Sequence, residues 1–178
     1  MNKIVLISHS GFNVEKALAE AVDGIDLLVG GHSHTKLEEP VLVEKDEPTV
    51  IVQANEYLNY LGVVDVTFNA EGVVTGFEGE LLDTKNFDAD ATAAARVAEL
   101  AAPIEELKKT VIGSSEVVLD GERANVRTKE TNLGNMIADG MLAKANEFEP
   151  TDIAIQNGGG IRASIDQGDV TLGEVHTV

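Results

Sequence analysis

The chain has 178 residues, enough for one domain with a substantial core or for two small ones, and 43% of them are apolar, which excludes a disordered chain. Thirteen basic residues stand against 31 acidic ones, so the net charge of -18 argues against binding nucleic acid or anionic membranes through the overall field. The absence of cysteine removes disulfides, thiolate metal sites and thiol nucleophiles, and no apolar run reaches the roughly 18 residues of a membrane span.

The first element is "KIVLISH" (residues 3–9), a short β-branched run that reads as a buried strand ended by Gly11. "NVEKALAEAVDG" follows as a helix, with Val14, Leu18, Ala21 and Val22 on one face, Asn13 as its cap and Gly24 as its stop. "IDLLVGG" is a second strand. Strand, helix and strand in this order predict a βαβ unit with a parallel pair. No signal peptide is visible in "MNKIVLISHS", whose apolar part is too short. Residues 49–84, with turns at Gly62, "NAEG" and Gly76, predict a small antiparallel meander. Residues 88–113 predict a helix on the three-four spacing of Val97, Leu100, Ile104, Leu107 and Val111. Pro103 is expected to kink it or to start a second segment. "SSEVVLDGE" reads as a strand and turn. "TNLGNMIADGMLAKANEF" reads as a helix capped by Thr131 or Asn132, and "DIAIQNGGGIRASI" as a strand entering a glycine-rich turn. The expected organisation is a strand-rich unit over residues 1–87, a helical linker over 88–112 and an α/β unit over 113–178.

Two constellations carry chemistry. His9 and His32 fall at the carboxyl ends of the two predicted parallel strands, where open α/β sheets place their sites, and His34 follows in the same loop. Neutral imidazole suits zinc, manganese and related ions. Gly30 and Gly31 are expected to let the backbone turn so that both His32 and His34 face inward. The same spacing also fits a pair of surface-loop histidines. Asp23 and Asp26 lie at the wrong end of the strands to act as ligands. The second constellation is "QNGGGIRASI": three glycines leave amides free for an anion, and Arg162 offers a bidentate contact to phosphate or carboxylate. Arg127 precedes a helix start, which favours anions. A tight turn with solvated arginines is the alternative, and it is the reading for Arg123 and Lys129. His176 reads as structural or exposed.

Taken together, "IVLISHSGF", "DLLVGGHSHT", "VQANEYLNYLGVVDVTF", "ETNLGNMIAD" and "NGGGIRASI" resemble the bacterial 5′-nucleotidase/UDP-sugar hydrolase family over nearly the whole chain. That family joins a calcineurin-like metallophosphatase domain to a C-terminal nucleotide-binding domain through a helix. The resemblance implies a mixed α/β fold: the back half of a metallophosphatase sandwich, a helical linker, and the start of an α/β nucleotide-binding domain. It implies hydrolysis of nucleotide phosphoesters with two divalent ions such as zinc, manganese or cobalt. It makes His9 and His32 ligands of one ion and His34 a ligand of the other, and it makes Arg127, Asn157 and Arg162 the residues that hold the nucleotide. The family is usually periplasmic, surface-attached or secreted. No D-x-H occurs in the chain, no G-D or G-N-H run lies ahead of His9, and the family's L-P-F-G motif does not occur, so the chain is expected to be an internal fragment, with no catalytic group of its own and little activity alone. A 2′,3′-cyclic phosphodiesterase/3′-nucleotidase, a UDP-sugar hydrolase or a non-catalytic nucleotide- or metal-binding module are the alternatives.

Overall fold

The computed structural model describes residues 2–178. The chain divides into two compact units, Met1–Ala89 and Asp90–Val178. The fold class is mixed α/β, as the sequence predicts. Among the described residues, no helix is long and apolar enough to cross a membrane.

The first unit opens with β1 (Val5–Ile7), α1 (Phe12–Ala21) and β2 (Leu27–Val29), and β1 and β2 pair in parallel with Ile7 opposite Val29. The predicted βαβ unit is therefore present. Two more strands complete the sheet, β3 (Val41–Val43) and β4 (Thr49–Val52), in the order β1-β2-β4-β3, with β4 parallel to β2 and β3 antiparallel to β4. The continuous apolar run of β4 reflects its place between two neighbours, where Thr49, Val50 and Ile51 are fully buried. Leu28, Ile51, Ala19, Ile25 and Val43 form the core, against which Phe12 and Leu18 of the helix pack. A long hairpin comes next, β5 (Tyr60–Phe68) and β6 (Val74–Asp83).

Three expectations are corrected here. The meander over residues 49–84 is a two-stranded hairpin, because Thr49–Val52 joins the mixed sheet and takes its hydrogen bonds from there. Asn13 does not cap α1. Gly11 does, at φ 94°, and its N–H is met by the side chain of Glu15 reaching back from the helix. Gly30 and Gly31 are not the left-handed residues of their loop. His32 (φ 67°) and His34 (φ 58°) take that conformation.

The second unit holds α2 (Ala91–Lys108), β7 (Val111–Ser115), α3 (Arg123–Val126), α4 (Asn132–Asn146), β8 (Gly168–Thr171) and α5 (Leu172–Thr177). Pro103 lies inside α2, which remains one helix capped by the Asp90 carboxylate. The predicted apolar face of α2 is exposed at Val97, Leu100, Ile104 and Leu107, and Val111 belongs to β7. Thr131 caps α4 by accepting from the Gly134 N–H at 3.1 Å, as its sequence predicts. The strand predicted before the glycine turn does not form. Among the described residues nothing pairs with residues 152–156, and Ile153 and Ile155 are exposed. Leu119, Leu133, Ile161, Ile165 and Val170 form the core of this unit. At its end Thr171 and Glu174 make a capping box, and the hydrogen bonds from Thr171 hold the Glu174 carboxyl below its ordinary range.

Leu28 has no exposed surface and sits at the centre of the first core. Leu28→Ala is expected to destabilise that unit by about 2–5 kcal/mol, through lost transfer energy plus the cavity left behind. Urea unfolding followed by NMR signals of residues 2–89 measures it. A loss below about 1 kcal/mol would mean that the sheet is not packed around this side chain.

Candidate functional site

The parallel ladder carries its pairing past the strand ends. Ser8 N–H donates to the Val29 carbonyl at 2.9 Å, and Gly30 N–H donates to the Val52 carbonyl at 2.8 Å. Three loops, after β1, β2 and β4, are thereby held side by side at the carboxyl end of the sheet. His9 and His32 emerge from the first two, and their rings meet edge to face with centres 5.2 Å apart. The two glycines make this approach possible. A Cβ on Gly31 would lie 2.8 Å from His9 Nδ1, and a Cβ on Gly30 would lie 2.2 Å from Glu15 Oε2. The pair is selected for close approach and not for a turn.

Among the described residues, five other than glycine occupy the left-handed region: His32, His34, Asn55, Tyr57 and Leu58. All five lie in the loops that come after β2 and β4. Such conformations cost of order 1–3 kcal/mol each and persist only where the surroundings over-determine them. Around His32 and His34 the surroundings are polar and part-buried, whereas Tyr57 and Leu58 are exposed. Gln53 accepts from Ser33 Oγ at 2.9 Å and from Thr35 N–H at 2.5 Å, and it donates to the Gly31 carbonyl at 3.0 Å. Ser33 Oγ accepts from the Phe12 N–H at 3.1 Å, and Asn55 Nδ2 donates to the His34 carbonyl at 3.0 Å.

His34 follows in the same loop as a left-handed residue. Its Nδ1 contacts the Glu56 carboxylate, and its ring packs against Tyr57 with centres 5.6 Å apart. Asp26 is structural, accepting from the Ile4 N–H at 2.6 Å, and Asp23 lies 3.6 Å from Lys45 Nζ.

Two imidazoles on one ion at ~2.0–2.1 Å would have ring centres roughly 4.5–5.3 Å apart, so the His9–His32 pair fits one side of a divalent coordination shell. Among the described residues, no three His, Asp or Glu side chains are grouped closely enough to hold an ion. The fit is therefore partial, and the remaining ligands would have to come from other groups. Sequence reasoning missed Glu15, Gln53 and Glu56. The signal for Glu15 was its place four residues after Gly11 at a helix start. Gln53 ends an apolar run, where a polar residue faces the loops.

In the second unit, Gly158, Gly159 and Gly160 form a single 3-10 turn preceded by Asn157. A Cβ on Gly158 would lie 2.0 Å from the Val126 carbonyl oxygen, so the turn rests directly on the backbone at the end of α3. A Cβ on Gly159 would lie 3.1 Å from Arg127 Nη2 and 3.3 Å from Asn157 Nδ2. Arg127 and Asn157 are thus brought together over the glycine turn. Arg162 is exposed, and its backbone N–H donates to the Val178 carbonyl at 3.0 Å. A cavity of about 270 Å³ opens at the start of α4, lined by Lys129, Thr131, Gly134, Gln156 and Gly158 among others.

Gly31→Ala tests the apposition of the rings. The added methyl is expected to displace His9 and abolish the ring contact, read as loss of the His9–His32 cross-peak in NMR. An unchanged contact would show that the loops yield at little cost.

Residues 111–178 match the model of the 5′-nucleotidase C-terminal domain. The chain is 47% identical over 182 residues to the trifunctional nucleotide phosphoesterase YfkN of Bacillus subtilis, covering 100% of this chain and 12% of that protein. It is 33% identical to the 5′-nucleotidase of Mus musculus, covering 94% of this chain and 33% of that one. The crystal structure of a 5′-nucleotidase precursor from Thermus thermophilus superposes with a TM-score of 0.76 at 40% identity, covering 99% of this chain and 38% of that one. The chain thus spans about a tenth to two fifths of the length of these relatives. Residues 111–178 thus match the 5′-nucleotidase C-terminal domain, and nearly the full length of the chain is similar to proteins named 5′-nucleotidase or nucleotide phosphoesterase.

Proposed function

We propose that this chain forms part of a metal-dependent phosphoester hydrolase of nucleotides, periplasmic or extracellular as is usual in the family it resembles. The observation that carries the reading is the meeting of His9 and His32 at the ends of two adjacent parallel strands. The relatives support the substrate class, because one is named a nucleotide phosphoesterase and others 5′-nucleotidases.

His9 and His32 would hold one ion together, and His34, oriented by Glu56, would contribute to a second. When bound, a pair of divalent ions lowers the pKa of water and neutralises phosphoryl oxygens. The residues of the second unit bind and orient. Arg127 presents its guanidinium over the glycine turn beside Asn157, which offers both an amide donor and an acceptor. Arg162 supplies a second positive group close by in the chain. Together they would offset the repulsion that a chain of net charge -18 exerts on an anionic nucleotide.

Titration calorimetry with 5′-AMP tests the nucleotide site. Arg127→Ala and Arg162→Ala are each expected to weaken binding by roughly 1.5–3 kcal/mol, the worth of a hydrogen bond to a charged group. Affinity unchanged in both would remove these residues from the site.

Phosphate release tests the reaction. With manganese, cobalt or zinc and 5′-AMP, the 178-residue chain is expected to turn over far below the ~1–10³ per second of ordinary enzymes. The reason is that, among the described side chains, the His9 and His32 rings meet but no three possible ligands are grouped. Full turnover by this chain would mean that it completes a metal site in solution.

A further inference from the structure

Glu15 has no exposed surface, and neither the βαβ fold nor the proposed ligand set requires a carboxylate at that point. Its Oε1 accepts from three backbone N–H groups: Ser10 at 3.3 Å, Gly11 at 3.2 Å and Gly31 at 3.2 Å. Its Oε2 accepts from Gln53 Nε2 at 3.4 Å. Ser10 and Gly11 come just after His9, Gly31 precedes His32, and Gln53 follows β4. One buried carboxylate therefore ties together the loops of three neighbouring strands.

We propose that Glu15 is a positioning residue for the proposed metal end. It fixes the His9 loop against the His32 loop and so sets the distance between the two rings. The metal part of this inference rests on the reading above, whereas the loop geometry does not.

The chemistry requires an acceptor with two oxygens. An ionised carboxylate is acceptor-only, with about four lone-pair sites over its two oxygens, and four donors converge on it here, three sharing Oε1 and the Gln53 amide on Oε2. A glutamine at position 15 keeps the shape but places N–H₂ where the second oxygen was, facing the N–H₂ of Gln53. Relieving that clash by turning Gln53 over would take its oxygen away from Ser33 Oγ and Thr35 N–H, from which it now accepts. Either outcome loosens the loop in which His32 and His34 hold their left-handed conformations. Gly30 belongs to the same device, since any side chain there would occupy the space of Glu15 Oε2.

The experiment compares the 178-residue chain with Glu15→Gln by three readouts. These are amide exchange at Ser10, Gly11 and Gly31, the NMR contact between the His9 and His32 rings, and zinc affinity by calorimetry. In the unsubstituted chain these amides are expected to exchange slowly. In Glu15→Gln their protection is expected to fall at least tenfold while the amides of Leu28 and Val50 keep theirs. The ring contact is lost, and zinc binding weakens about 10–100-fold, the usual effect of removing a partner that orients a ligand. Glu15→Gln with protection and ring contact intact overturns the proposal. So does unchanged zinc affinity after the contact is lost. Should Glu15→Gln not fold, the unsubstituted chain decides, because Gly11 and Gly31 amides that exchange as fast as open loops refute the tie and slow exchange supports it. Failure of the unsubstituted chain to bind zinc would count against the metal reading alone, since the amide and ring readouts still judge Glu15.

Discussion

A carboxylate sealed from water beside the ends of three strands is the constraint on which the first unit turns. A buried charge is costly unless it is hydrogen-bonded, and each hydrogen bond to such a group is worth about 1.5–3 kcal/mol. Glu15 meets that demand with backbone N–H groups that the open ends of a parallel ladder and of α1 leave unpaired. The two needs answer each other. The loops supply donors that have no other acceptor, and the carboxylate draws the loops together. The resulting site takes its geometry from the sheet. Parallel pairing of β1 with β2 and of β2 with β4 brings the three loops abreast, and the polar network then fixes their conformations.

The strain at that end of the sheet gains meaning from this network. Left-handed backbone at His32, His34, Asn55, Tyr57 and Leu58 would relax in an isolated loop. Side-chain and main-chain bonds from Gln53, Ser33 and Asn55 hold the His32–Thr35 turn in place. Non-glycine residues in this region are the signature of a segment whose side chains matter more than its ease of folding. Glycine at position 32 or 34 would relieve the backbone, but it would remove an imidazole.

Much of the architecture was legible in the sequence, for reasons of period. The βαβ unit shows as a switch from a β-branched run to a three-four spacing and back, and the placing of His9 and His32 at strand ends comes from it. The cap at Thr131 was legible because its chemistry is local. What escaped was non-local. Val41–Val43 is only three residues long, between Pro40 and an acidic turn, and becomes a strand only because β4 lies beside it. Residues 152–156 have the composition of a strand, yet no neighbour supplies the ladder among the described residues, so they do not become one. Glu15 looks like any acidic residue in the first turn of a helix. Its burial depends on the loop after β2, sixteen residues away. The double glycine was read as a hinge because sequence shows which residues can turn, not which must make room.

The charge of the molecule sets a last condition on any anionic ligand. A net charge of -18 repels phosphate at long range, but that field is screened over about 8 Å at physiological salt. Within that distance, fixed local groups decide. Arg127 beside Asn157 over a glycine turn is such a group, because the missing side chain at Gly159 is what gives the guanidinium its place. The glycines of both units therefore serve one physical end. At Gly30 and Gly31 the absent Cβ admits a carboxylate and an imidazole, and at Gly158 and Gly159 it admits a backbone carbonyl and a guanidinium. At Gly30 the missing side chain leaves room for the buried Glu15 carboxylate and the hydrogen bonds it accepts, and at Gly159 it leaves room for a cation that an anion would meet only at short range, where the repulsion of the acidic surface no longer decides.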